Sequence, residues 1–243
     1  MEVLGIDVGG SGIKGAIVNT ETGQLVTERH RIPTPKGAKP DDVAQEIKEM
    51  LEHFQWTGKV GVGFPAVILN GVAKSAGNIH KSWIDTNVVE LFKQYTGVDC
   101  IVANDADVAG LAEMNFGAGK GQKGLVLMIT AGTGLGSGAF YNGQLIPNFE
   151  LGTFPYKDYK KVEHYAADSA RKRDKLSLKD WSKRLNKFLK IIEKMFMPNL
   201  IILGGGSSKK MDQFKENITV KTKIVPAEML NNAGIVGAAM LCK

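Results

Sequence analysis

A strand, a turn of small residues and a returning strand occur twice in this chain of 243 residues. The first copy is Leu4-Gly5-Ile6-Asp7-Val8-Gly9-Gly10-Ser11-Gly12-Ile13-Lys14-Gly15-Ala16-Ile17-Val18. The second is Leu127-Met128-Ile129-Thr130-Ala131-Gly132-Thr133-Gly134-Leu135-Gly136-Ser137-Gly138-Ala139-Phe140. Each apolar run reaches a polar residue, turns through glycine and comes back apolar. Glycine tolerates positive φ and lets the backbone approach a ligand closely, so successive N–H groups can converge on an anion. Two such hairpins predict two similar half-structures that grip a phosphate-bearing ligand between them.

The length suffices for one large domain or two small ones, each with a core. No apolar run approaches the roughly 20 residues that span a bilayer, so no membrane partner is expected. The first residues enter a strand at once, without the basic and apolar regions of a signal peptide, which predicts a cytoplasmic protein. Cys100 and Cys242 are the only cysteines and lack a metal-ligand spacing. A disulfide scaffold or a structural zinc is therefore not expected, and both read as small buried residues. The net charge of +6 suits either nucleic acid or a polyanionic small substrate. The basic residues gather at 157–161, 171–175, 183–194 and 209–210, where solvated helix faces are the simpler explanation.

Periodicity and turn residues predict strands over 3–8, 12–18 and 25–32, with Pro33-Thr34-Pro35 ending the third. Pro40-Asp41-Asp42 opens a helix in which Val43, Ile47, Met50, Leu51 and Phe54 share a face. Strands follow over 60–65 and 100–103, with a helix between them. Three strands, a helix, a strand, a helix and a strand make one ribonuclease-H-like unit. After a helix over 107–116 the order repeats. Strands are expected over 124–130, 134–141 and 144–146, then helices over 161–172 and 178–196. A strand over 199–203, a helix after Gly204-Gly205-Gly206-Ser207-Ser208, a strand over 219–225 and a helix over 227–241 complete the second unit. This duplication resembles the architecture of the actin and sugar-kinase group.

Six segments stand in one order: Asp7 to Gly15, Gly63-Phe64-Pro65-Ala66, Gly77-Asn78-Ile79-His80-Lys81-Ser82-Trp83, Asn104-Asp105-Ala106-Asp107, Thr133 to Gly138 and Glu150-Leu151-Gly152. Together they resemble the ROK (repressor, open reading frame, kinase) sugar kinases. The Asn78-Ile79 to Trp83 segment and the Gly-Ser-Gly-Ile-Lys form of the first turn resemble the polyphosphate-using branch. The resemblance implies an α/β, two-lobed actin-like ATPase fold, a duplicated ribonuclease-H-like unit with the ligand cleft between lobes. The lobes are expected at 1–106 and 107–228, hinged near 104–110, with a terminal helix at about 229–243 packing back on the first. It further implies a Mg²⁺-dependent homodimer moving phosphate from polyphosphate, and also from ATP, to the 6-hydroxyl of glucose. A strictly ATP-dependent hexokinase for glucose, mannose or a related sugar is the alternative. Nucleic acid is not an expected partner, because Asp7 leaves no room before it for a helix-turn-helix. Thr153 stands where the family carries a sugar-binding histidine, and the family's zinc-binding cysteine cluster is missing, so the hexose stays open and no structural zinc is expected.

Residue by residue, Asp105 is the candidate base for the sugar hydroxyl and Asn104 a partner for neighbouring hydroxyls. The same pair would equally cap the following helix. Glu150 and Glu163 are candidates for holding vicinal hydroxyls, although Glu163 could simply open a helix. Asn78 is a sugar-side candidate or an ordinary turn residue. For the donor, Gly9, Gly10, Ser11 and Gly12 offer backbone N–H groups and Lys14 a charge. Asp7 would hold phosphate-bound Mg²⁺ through water, or merely end its strand. Gly132, Thr133 and Gly134 form the second clasp. Gly204, Gly205 and Gly206 suit the far end of the donor or a bare strand-to-helix turn. By resemblance, Lys81, Lys209 and Lys210 would line a polyphosphate channel. The four histidines show no metal-like spacing, His80 reads as a packed or solvated residue, and Trp83 reads as a core or lobe-packing residue.

Overall fold

β1 (Glu2–Gly9) and β2 (Gly12–Asn19) pair antiparallel from Glu2↔Asn19 to Gly9↔Gly12, so Gly10 and Ser11 alone make the first turn. The computed structural model describes residues 1–77 and 79–243. Beyond β2 the expected strand over 25–32 is two short pieces, β3 (Gln24–Leu25) and β4 (His30–Ile32), both paired with β2. The cause lies at Thr27, whose side-chain oxygen accepts the Ile17 N–H at 3.1 Å, replacing a backbone partner. α1 (Pro40–His53) begins with proline and two aspartates, which suit the open N–H groups of a first turn, and buries Val43, Ala44, Ile47, Met50 and Leu51. β5 (Val60–Phe64) is wholly buried.

β6 (Ile68–Leu69) and β7 (Val72–Ala73) form a small hairpin absent from the sequence expectation. Its turn is Asn70-Gly71, both at positive φ, the pair that such two-residue loops favour. α2 (Val88–Thr96) is capped by Asn87 and ended by Gly97 at φ 74°. β8 (Cys100–Asn104) leads straight into α3 (Asp105–Phe116), which starts two residues before the expected 107. The strand order is β3-β2-β1-β5-β8, with β4 on β2, and β1, β5 and β8 run parallel. Phe64, Trp83 and Phe92 meet edge to face in the core.

The next sheet repeats the plan. β9 (Leu125–Ala131), β10 (Leu135–Tyr141) and β11 (Gln144–Ile146) form an antiparallel meander, and β12 (Leu200–Gly204) and β13 (Lys223–Pro226) continue parallel to β9. The order β11-β10-β9-β12-β13 matches the first sheet strand for strand. This is a duplicated ribonuclease-H-like fold. Between β11 and β12 lie α4 (Glu163–Ala166), α5 (Asp168–Arg173) and α6 (Leu178–Phe196). The expected helix over 161–172 breaks at Ala167, which is extended. Trp181 Nε1 donates to the carbonyls of both Ala166 and Ala167, at 2.9 and 3.2 Å, and so draws them out of a helical ladder. After Gly206 two 3₁₀ turns, Ser208–Gln213 and Lys215–Asn217, replace the expected α-helix, and the last strand is 223–226 rather than 219–225.

α7 (Ala233–Met240) is shorter than the expected 227–241, because a 3₁₀ turn over Leu230–Asn232 precedes it. It lies on β1 and β5 with backbone against backbone. A Cβ on Gly5 would strike the Ile235 carbonyl, and one on Gly61 the Ala238 carbonyl. Gly237 in turn sits on the Val108 carbonyl of α3. The chain thus divides into two compact units, Met1–Ala112 with Asn231–Lys243, and Glu113–Leu230. Cys100 is buried, which pushes its thiol up to about 11. Among the described residues no helix is long and apolar enough to cross a membrane.

Candidate active site

In the first unit the parallel strands β1, β5 and β8 end on one edge, where α/β sheets place ligands. Asp7 lies near the end of β1, and Asp105 directly follows β8. Lys14 Nζ stands 3.4 Å from Asp7 Oδ2. Burial pushes the Asp7 carboxyl above its ordinary range, and the pull of Lys14 and Arg29 offsets this only in part. A Cβ on Gly234 of α7 would come within 2.7 Å of Asp7 Cγ, so the helix start must be bare there.

Both flanking carbonyls of the first turn are tied from outside. Thr34 Oγ1 donates to Gly9 O at 2.5 Å, and Arg31 Nη2 donates to Ser11 O at 2.5 Å. Gly10 and Ser11 remain exposed. Beside Gly10 opens a cleft of about 400 Å³ walled by residues 34–38, Ile79 and His80. The His80 ring caps the 3₁₀ turn Lys81–Trp83 by accepting from Ser82 N. Trp83 is buried and donates to Ala38 O at 2.7 Å, which makes it a core residue. Lys81 is exposed, and Asn78 lies outside the described residues.

Asn104 and Asp105 divide the two readings of their pair. The Asn104 side chain is buried, its Oδ1 accepts from Ala106 N at 2.8 Å and Asp107 N at 3.3 Å, and its Nδ2 donates to Ala66 O at 3.3 Å. It caps α3 and clamps the segment after β5. Asp105 is exposed, with Oδ1 accepting from Ala106 N at 2.8 Å.

In the second unit the turn at 132–134 rests on α5. Ser169 N donates to Gly132 O at 3.0 Å, and Ser169 Oγ to Thr133 O at 2.6 Å. A Cβ on Gly134 would come within 2.5 Å of Glu163 Oε2, which also accepts from Leu135 N at 3.4 Å. Lys161 Nζ stands 3.3 Å from Glu163 Oε1. Burial, and after it the charge of Glu163, raise the Glu150 carboxyl, while Lys161 lowers it. Glu150, Glu163 and the second turn are therefore neighbours. Gly152 touches the Leu135 carbonyl, and exposed Thr153 donates to its own turn at Glu150 O, 2.7 Å away.

Gly205, at φ 86°, backs onto the Ala131 carbonyl, so 204–206 flank the second turn. Sequence reasoning missed what joins them. Ser207 Oγ donates to Asp168 Oδ1 at 3.0 Å, and Arg171 Nε and Lys172 Nζ lie 2.6 and 3.1 Å from the same carboxylate. Burial pushes this carboxyl up, but the three bonds hold it below its ordinary value. The only sequence signal was Asp168-Ser169 after two alanines, a pair that suits a helix start. Lys209 and Lys210 are exposed beyond this loop.

A model of the ROK family matches residues 3–148. The chain is 45% identical over 238 residues to polyphosphate glucokinase of Mycobacterium tuberculosis, covering 98% of this chain and 89% of that protein. The chain belongs to the ROK family. The Mycobacterium leprae polyphosphate glucokinase is 43% identical, over 98% of this chain and 73% of its own length. Among crystal structures, an inorganic polyphosphate/ATP-glucomannokinase from Arthrobacter sp. strain KM superimposes with TM-score 0.93 at 44% identity, covering 98% and 97% of the two chains. A ROK glucokinase from Streptomyces griseus shares the fold, with TM-score 0.81, 22% identity and 99% of both chains covered.

A phosphoryl-transferring ROK protein implies a divalent metal. Among the described residues no three His, Cys, Asp or Glu side chains gather as a metal cage. Asp7 supplies a single carboxylate beside the first glycine turn. That set fits Mg²⁺, which keeps several waters and binds through one or two carboxylates plus substrate phosphates.

Proposed function

We propose that this ROK protein phosphorylates glucose at its 6-hydroxyl, with inorganic polyphosphate as donor and ATP as a second one. The observation that carries this is 45% identity to a polyphosphate glucokinase across nearly the whole chain. Glu150 and Glu163 would hold vicinal sugar hydroxyls by charge-assisted hydrogen bonds. Asp105, exposed at the start of α3, would accept the 6-hydroxyl proton as the O6–P bond forms and the donor's bridging P–O bond breaks. Glucose 6-phosphate leaves, and the donor is one phosphate shorter. Asn104 acts on the sugar chiefly by fixing Asp105.

On the donor side, the N–H groups of residues 9–12 and the Lys14 charge would bind phosphate at the first turn. Residues 132–134 and 204–206 would hold the donor from the second unit. Asp7 would hold Mg²⁺, which when bound would neutralise the donor phosphates. A cytoplasmic homodimer completes the proposal, and sedimentation velocity tests its second part.

The test is an initial-rate panel of polyphosphate and ATP against glucose and mannose, with Mg²⁺ present. Glucose with polyphosphate should give the highest rate. Turnover with ATP alone would replace this reading by an ATP-dependent hexokinase. Mannose belongs in the panel because the similar Arthrobacter enzyme is a glucomannokinase and the Thr153 hydroxyl donates to the Glu150 backbone carbonyl.

A further inference from the structure

Arg31 lies outside every sequence motif, yet its guanidinium rests on the first glycine turn. Its Nη2 reaches Ser11 O at 2.5 Å. The space that a Cβ on Gly12 would fill is taken by the same group, with Nε 2.5 Å and Cζ 2.8 Å away. The register explains the position. Asp7 faces Lys14 across β1 and β2, and Lys14 faces Arg31 across β2 and β4. Directly opposed residues point to the same side of a sheet, so the three form one row.

The row carries one negative and two positive charges. Lys14 pairs with Asp7, whereas the Arg31 bond goes to a carbonyl and leaves its charge on the turn. Arg29 adds a further positive charge within electrostatic reach of Asp7. Like charges directly opposed on neighbouring strands repel, and an anion between or above them relieves the repulsion. A guanidinium presents five N–H donors in a planar fork matched to phosphate, and the Ser11 bond engages one of them.

We propose that Arg31 binds a phosphate of the donor at the first glycine turn, acting as the second cation of that turn beside Lys14. The glycine at 12 is then the vacancy in which the guanidinium sits, and Ser11 O is the anchor that aims it. This rests on the phosphotransfer reading above, and it names a residue that reading did not contain.

The test measures inorganic tripolyphosphate binding to the full chain by titration calorimetry without sugar, alongside donor and glucose KM values. Three variants separate charge from bracing: Arg31→Ala, Arg31→Gln and Arg31→Lys. Glutamine is neutral and ends two bonds short of Nη2, so it loses the Ser11 bond as well, whereas lysine keeps the charge. A charge-assisted bond to phosphate predicts that alanine and glutamine weaken tripolyphosphate binding and raise the donor KM by about tenfold or more. Lysine, which keeps the charge but not the fork, should lose less than either neutral variant, and the glucose KM should move less than about twofold throughout. Wild-type tripolyphosphate affinity in Arg31→Gln would reduce Arg31 to a brace and overturn the proposal. If the neutral variants melt far below wild type, Arg31→Lys decides: tripolyphosphate affinity no better than theirs, at a temperature where all are folded, also overturns it. Should wild type turn over no donor at all, the phosphotransfer reading fails, while the binding measurement still judges Arg31.

Discussion

Asn104 and Asp105 are adjacent in sequence and opposite in environment, one buried on a helix cap and the other exposed at the sheet edge. Their residue types made the pair legible, but not which member would cap, since both types cap well. The Ala66 carbonyl decides it, by drawing the Asn104 amide inward. Replacing Asp105 by Asn should lower kcat by roughly 10²–10⁴, with glucose Kd within about twofold, as read from a coupled assay and calorimetry. Glu150 carries a prediction of opposite signs. Its carboxyl lies above the ordinary 4.5 because of burial and then the Glu163 charge. A raised carboxyl adds stability while protonated, fully below 4.5, and loses it as pH rises through its folded value. Glu150→Gln should therefore melt about 1–2 °C higher than wild type at neutral pH, the gap closing below the ordinary glutamate value, while glucose KM rises about tenfold or more. Calorimetric melts across that range check the sign. Arg31 and Asp168 were not legible, because their partners reach them only through strand register and the fold of a distant loop.

At the scale of elements, the paired hairpins and the long amphipathic α6 were readable from apolar spacing. The failures have local causes that spacing does not carry. Thr27 substitutes a side chain for a ladder bond and cuts a strand in two. Trp181, across the turn from α4, claims two helical carbonyls and breaks a helix. The Asn70-Gly71 hairpin was a missed signal, since that dipeptide at positive φ is a strong one. The glycines under α7 were visible as residues but not as contacts. Gly61→Ala would drive its methyl into the Ala238 carbonyl, and no flexible side chain there can yield. It should cost about 2–3 kcal/mol in urea unfolding, at the upper end of ordinary overpacking.

For the whole molecule, repetition of one strand order in two sheets was legible because each copy keeps its own hairpin and later parallel strands. The net charge of +6 was legible too, but only its local rows give it meaning. If a polyphosphate donor is held by Lys14, Arg31 and their neighbours, its KM should rise about tenfold between roughly 0.05 and 0.5 M salt, through screening of exposed charge. Glucose, being neutral, should keep its KM within about twofold. Rates measured at constant Mg²⁺ with added potassium chloride decide this, and equal salt dependence for both substrates would count against an ionic donor site.

Because α7 seals β1 and β5, the earliest strands of the chain wait for its last helix. During synthesis at ~5–20 residues per second, that wait is on the order of 10–50 s. The contiguous stretch Glu113–Leu230 can mature on the ribosome ahead of it. A nascent chain stalled before Ala233 would expose an uncovered sheet, and chaperone demand should concentrate in that interval.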